Sequence, residues 1–184
     1  MNFAETNAPL PLQCHPATPA GLPLDVSVAL SWTDSGLQLR YSVVGDSAGL
    51  RIPLRAASGP ADGLWQHTCL EAFIASEGEA AYREFNFSPS GHWAHYAFAT
   101  ERQRHTTPAP ARAPLLDMRR TSAGYELVAV LDRASLPAAR VLQIGLCAVV
   151  ESIDGHVSHW ALRHPHDKPD FHDRSGWTLH LPND

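Results

Sequence analysis

The chain predicts an all-β fold, an antiparallel β-sandwich or jelly roll of about ten short strands. Three observations carry that prediction. Alternating polar and apolar residues recur in short stretches. Clusters of Gly, Pro, Asp and Ser separate those stretches. No segment shows the apolar spacing of an amphipathic helix. With 184 residues, 44% hydrophobic and 18% charged, the chain is long enough for one domain with a sizeable core. We expect residues 1–23 to be a proline-rich lead-in or edge segment and residues 24–184 to be a single β-sandwich ligand-binding domain.

Taken in order, residues 1–23 hold four prolines between Pro9 and Pro19, which cannot donate to a β-ladder. Leu24 to Thr33 alternates with period two, placing Val26, Val28 and Leu30 on one face. Asp34-Ser35-Gly36 is a turn signal, and Leu37 to Val44 alternates again, completing a hairpin. Leu50 to Leu54 reads as a third short strand, and Ala56 to Gly63 as a loop. Three consecutive strands are expected between Trp65 and Phe98. Thr100 to Pro114 is too rich in proline for a regular element. Leu115 to Arg120 and Tyr125 to Leu131 are strands around an Ala123-Gly124 turn, and Asp132 to Leu136 is at most one helical turn. Val141 to Val150, the most apolar run, predicts a central strand covered on both faces. Trp160 to Leu162 is short and extended, a polar loop follows to Ser175, and Trp177 to Leu181 closes the domain.

The segment from Trp65 to Phe98 holds the densest set of polar and aromatic residues: Trp65, His67, Glu71, Arg83, Glu84, Asn86, Trp93 and His95. Strand periodicity puts Trp65, His67, Cys69, Glu71 and Phe73 on one face. If Leu70, Ile74, Phe85 and Phe87 face the core, then Glu71, Glu84 and Asn86 face away from it, side by side on neighbouring strands. Like charges so placed need compensation, from arginine, histidine, a cation or a ligand. A polar floor with aromatic walls suits a saccharide, whose hydroxyls pair with the floor while its C–H faces pack on rings. Trp65 and Trp93 are the candidate walls, with Arg83 and His95 as further contacts. The same residues also suit a salt-bridge network that merely satisfies a solvated sheet face.

These stretches, L-W-Q-H-T-C-L-E-A-F-I and Y-R-E-F-N-F-S-P-S-G-H-W-A-H-Y-A-F, resemble DOMON-like domains related to the family 9 carbohydrate-binding modules, in particular a group of mostly uncharacterised bacterial proteins. The late H-W-A-L-R-H-P-H-D-K-P-D-F-H resembles that group too. The resemblance runs from about Asp25 to Leu181 and implies a jelly-roll module that binds a sugar or haem and does not catalyse. By position it draws attention to Trp65, Glu71, Glu84, Asn86 and Trp93.

Other readings stay open. Eleven histidines stand against one lysine, Lys168. The loop H-P-H-D-K-P-D-F-H offers His164, His166, Asp170 and His172 to a divalent metal, or is a rigid surface loop that covers one end of the sandwich and lends Trp160, His164 or Lys168 to a pocket. Non-covalent haem would need an axial ligand such as Met118 or a histidine, with Arg119 and Arg120 for its propionates. Glu71 and Glu84 could form the carboxyl pair of a glycoside hydrolase-like enzyme. No Ser elbow, phosphate loop or dinucleotide fingerprint is present. The net charge of −5 without a basic stripe argues against nucleic acid, and no apolar run approaches membrane-spanning length. Three dispersed cysteines and an N-terminus without a signal-peptide pattern lead us to expect a cytoplasmic protein with free thiols.

Overall fold

The computed structural model describes residues 8–105 and 112–183. Its strands are β1 (Leu10–Pro11), β2 (Gln13–Cys14), β3 (Leu24–Thr33), β4 (Gly36–Gly45), β5 (Gly59–Pro60), β6 (Cys69–Ser76), β7 (Tyr82–Phe87), β8 (His92–Thr100), β9 (Gln103–Arg104), β10 (Leu115–Thr121), β11 (Gly124–Leu131), β12 (Val141–Glu151), β13 (Val157–Ala161) and β14 (Leu179–Pro182). Ten of these have four or more residues. They form two sheets, an all-β sandwich as the alternation requires. The smaller sheet runs β1-β3-β4-β11-β10 and the larger β2-β13-β12-β6-β7-β8-β5, with β14 also on β12 and β9 on β8. Among the described strands only the β5–β8 pairing is parallel.

The inner faces meet in one core. Val28, Leu30, Leu39, Tyr41 and Leu127 from the smaller sheet pack against Leu70, Ile74, Phe85, Phe87 and Ile144 from the larger. The tight β3–β4 turn depends on Gly36 at φ +132°, where a Cβ would lie 2.0 Å from the Leu131 carbonyl oxygen. Buried Tyr41 crosses the core and donates its hydroxyl to the Glu71 carbonyl at 2.7 Å, tying the smaller sheet to the middle of β6.

The larger sheet is covered on its other face as well. β6 is buried along all but its last residue, and β12 from Ile144 onward. The cover is the loop between β13 and β14. Trp177 packs on Phe73 and Tyr82, with ring centroids 5.5 and 5.2 Å away, and donates its indole N–H to the Phe171 carbonyl at 2.8 Å. Gly145 leaves room for that indole: a Cβ there would fall 2.3 Å from Trp177 Cδ1.

Three expectations are corrected. Leu50 to Leu54 is not a strand. Leu50 makes one isolated bridge to Ser152, and Pro53 ends any ladder. The strand expected from Trp65 begins only at Cys69, because Leu64–Gln66 closes a 3-10 turn. The stretch after Thr100 contains a two-residue strand, Gln103–Arg104, held on β8; residues 106–111 lie outside the described residues. The proline-rich start is an edge segment, as expected: Leu10–Pro11 is the edge of the smaller sheet on β3 and Gln13–Cys14 the edge of the larger on β13.

Candidate functional site

An open cavity of about 420 Å³ lies on the outer face of the larger sheet. Its floor is β6 and β7. Antiparallel pairing sets Glu71 opposite Asn86 and Phe73 opposite Glu84, so both carboxyls project from the face away from the core. Trp65 and Phe98 contribute from the strand side, Phe171 and His172 from the covering loop. Glu71 and Glu84 are only 3% and 5% exposed, and Asn86 is fully buried.

Hydrogen bonds fix the polar groups unevenly. Asn86 Nδ2 donates to Glu84 Oε1 at 2.8 Å. Glu71 Oε1 and Asn86 Oδ1 are buried with no partner among the described residues. Tyr82 lies within hydrogen-bonding distance of His172 Nδ1, 2.7 Å, and accepts from the Arg102 backbone N–H at 3.0 Å. If the Tyr82 proton goes to Nδ1, His172 carries its own on Nε2, which faces Glu84 Oε2 at 3.8 Å.

Burial raises the pKa of Glu71 well above the usual carboxylate range, and the Glu84 charge adds to this. Burial also raises Glu84, opposed by the Asn86 hydrogen bond and by Arg104 and Arg102. Both carboxyls are therefore easier to protonate than an ordinary carboxylate. His172 is lowered to about 4, chiefly by burial and then by Arg102. It is neutral at neutral pH, so its contact with Glu84 is not an ion pair.

No family model and no curated protein matches the chain. Among solved structures it is similar to a "putative carbohydrate-binding protein" from Bacteroides uniformis ATCC 8492, with TM-score 0.68 and 20% identity, over 92% of this chain and 82% of that one. The two chains share one fold. A family 9 carbohydrate-binding module from Caldicellulosiruptor kristjanssonii, in complex with glucose, aligns at TM-score 0.48 and 12% identity, over 82% of this chain and 73% of the other. At 20% identity the first of these likenesses bears on the fold alone.

The sequence-derived candidates divide between two faces. Trp65, Glu71 and Glu84 line the cavity, and Asn86 lies beneath it, bonded to Glu84. Trp65 is 40% exposed and meets Tyr96 edge-on at 5.9 Å. His67 precedes β6 and pairs with Glu151 at 2.8 Å, outside the cavity. Arg83, Trp93 and His95 are on the opposite face, because Phe85 pairs with His95 and Phe87 with Trp93. Trp93 is buried in the inter-sheet core, and His95 stacks on Phe85 at 4.6 Å. Neither can touch a ligand held by Glu71 and Glu84.

The histidine loop does not converge on a metal. His164 Nε2 meets the Gln13 carbonyl, His166 pairs with Asp173, and Asp170 with Arg102. Among the described residues no group of three or more His, Cys, Asp or Glu is placed to hold an ion. Met118, the candidate haem ligand, packs against the core from an edge strand of the smaller sheet. The loop does cover a pocket, through Phe171 and His172; Trp160 is in the core instead. Arg102 and Arg104 also line the cavity and were hidden in the proline-rich stretch. Their one sequence signal was two arginines, spaced by two, beside a strand end.

Proposed function

We propose that this cavity binds a saccharide or a sugar-containing metabolite, and that the chain is a non-catalytic DOMON-like domain related to the family 9 carbohydrate-binding modules. The observation that carries the reading is the pair of nearly buried carboxyls on the floor of an open cavity walled by aromatic rings. Buried carboxyls cost stability unless paired, so a face that keeps two of them needs a reason. Sugar hydroxyls supply donors and acceptors together, matching a floor whose two carboxyls are raised towards protonation and so can donate as well as accept. Phe73, Phe98 and Phe171 offer the apolar surface that a sugar's C–H faces pack against. The volume falls within the range of ligand pockets, roughly 300–1,000 Å³.

Calorimetric titration with a panel of mono- and disaccharides tests this. At least one should bind in the micromolar-to-millimolar range. Glu84→Gln should weaken it about tenfold or more, as expected for lost charge-assisted hydrogen bonds, with cooperative melting retained. Failure of every saccharide to bind, or an affinity unmoved by Glu84→Gln, would overturn the reading. The carboxyl pair itself favours one second reading, hydrolysis, because burial raises both carboxyls towards protonation, as a general acid requires. Turnover of chromogenic glycosides, lost in both Glu71→Gln and Glu84→Gln, would be its signature.

A further inference from the structure

The rim of the cavity carries the opposite charge from its floor. Arg102 and Arg104 both line it, on the segment where β9 pairs with β8. The two arginines are not equivalent. Arg102 Nη2 donates to Asp170 Oδ1 at 2.7 Å. Arg104 lays its guanidinium over Tyr96, 3.7 Å from the ring centroid, and has no carboxylate partner among the described residues. Tyr96 is itself anchored, its hydroxyl donating to Asp62. Stacking on a ring face leaves the N–H donors along the guanidinium edge unused, in a planar fork that fits two oxygens of one anion.

Glu84 on the floor and His172 on the wall both feel the charge of Arg104, but neither forms an ion pair with it. Asp170 is taken by Arg102. His172 is neutral at neutral pH, and Glu71 holds its proton more tightly than an ordinary carboxyl. His159, also on the cavity wall, is lowered by burial and then by neighbouring histidines. Glu84 remains, on the floor.

We propose that the cavity selects saccharides bearing an anionic substituent, a uronate carboxylate or a phosphate, with Arg104 as the specificity-determining residue. This rests on the saccharide reading above. The ring hydroxyls turn to Glu71 and Glu84 while the anion turns to the exposed rim. The reverse orientation would set the anion against Glu84, and like charges so placed are strongly disfavoured. At the rim the anion stays partly in water, so it incurs little desolvation.

The test is calorimetric titration of the intact chain, at low salt, with D-glucose, D-glucuronate and D-glucose 6-phosphate, and with D-galactose and D-galacturonate. An acidic sugar should bind about tenfold tighter than its neutral parent, the size of effect expected of a charge-assisted, bidentate contact. The carboxylate and phosphate arms show which anion is preferred. In Arg104→Gln the ratio of acidic to neutral affinity should fall to near one. Arg104→Lys should restore it only in part, because an ammonium lacks the planar fork. Added salt should narrow it, since the rim is solvated. Thermal melting of both variants checks that they fold. Equal or tighter binding of the neutral sugars would overturn the anion proposal and leave the saccharide reading standing. A ratio unmoved by Arg104→Gln would overturn the assignment to Arg104. No binding of any of these sugars would overturn both.

Discussion

The outer faces of the two sheets handle charge differently. On the smaller sheet Arg40 and Glu126 pair across neighbouring strands at 3.7 Å, with side chains 47% and 35% exposed. On the larger sheet Glu71 and Glu84 sit on neighbouring strands, both buried, the Glu84 side chain only 7% exposed, and among the described residues the nearest basic side chain to the pair is a neutral histidine, 3.8 Å from Glu84. Solvent tolerates the first arrangement at almost no cost. Protein surrounds the second, so it raises pKa values and leaves an oxygen unpaired. The difference comes from the loop carrying Phe171 and Trp177, which covers one sheet and has no counterpart on the other among the described residues. A covered carboxyl pair is the expensive arrangement, and it lies where the cavity is.

That contrast can be broken by removing the cover. Trp177→Ala should cost about 3–5 kcal/mol in urea unfolding, as for other buried tryptophans. A loss below about 1 kcal/mol, the size of an ordinary surface change, would mean that the loop is only loosely laid on the sheet. Gly145→Ala attacks the same contact from beneath and should cost about 1–3 kcal/mol through overpacking against the indole. Removing the floor sharpens the contrast. Glu71→Met should raise stability by about 1 kcal/mol at neutral pH, because an apolar group of similar size replaces a buried, incompletely paired one, while saccharide binding is lost. A destabilised Glu71→Met would mean that the carboxyl is held by a structural network.

Acidity separates the two kinds of buried group. His95 and His172 are each lowered from 6.5 to about 4, mainly by burial. Between those values the unfolded chain binds more protons, so their stabilising contribution is complete above pH 6.5 and is lost as pH falls towards 4. Glu71 and Glu84 are raised, so their contribution is complete at low pH and is lost as pH rises above 4.5. His95→Phe keeps the stack on Phe85, removes the unpartnered Nε2, and should flatten the acid limb of a melting-temperature profile while leaving the neutral limb in place. The smallest effect belongs to the smaller sheet. Arg40→Ala should change stability by no more than about 0.5 kcal/mol, and by less in high salt.

Legibility follows the same division. β3 and β4 could be read from alternation because one face of their sheet meets water. β6 and β12 showed as apolar runs because both faces are covered. Placing Glu71, Glu84 and Asn86 together needed only period two and the β6–β7 pairing. Extending β6 back to Trp65 and His67 failed because a 3-10 turn resets the phase at Leu64–Gln66. Trp93 and His95 were misplaced because the β7–β8 turn fixes their register, and a shift of one residue exchanges the faces. Phe171, His172 and Arg104 reach the cavity through contacts distant in sequence, which no local pattern encodes.

The most direct test is a ¹H–¹⁵N and ¹H–¹³C NMR titration of the intact chain with the tightest saccharide of the panel. The account predicts shifts concentrated at the Trp65 indole, the His172 ring, and the backbone around Glu71, Glu84 and Phe171. β3, β4 and β11 should stay silent. Shifts centred on the smaller sheet or on the Trp93–His95 face would contradict it, as would a saccharide that binds without moving the Trp65 and His172 resonances.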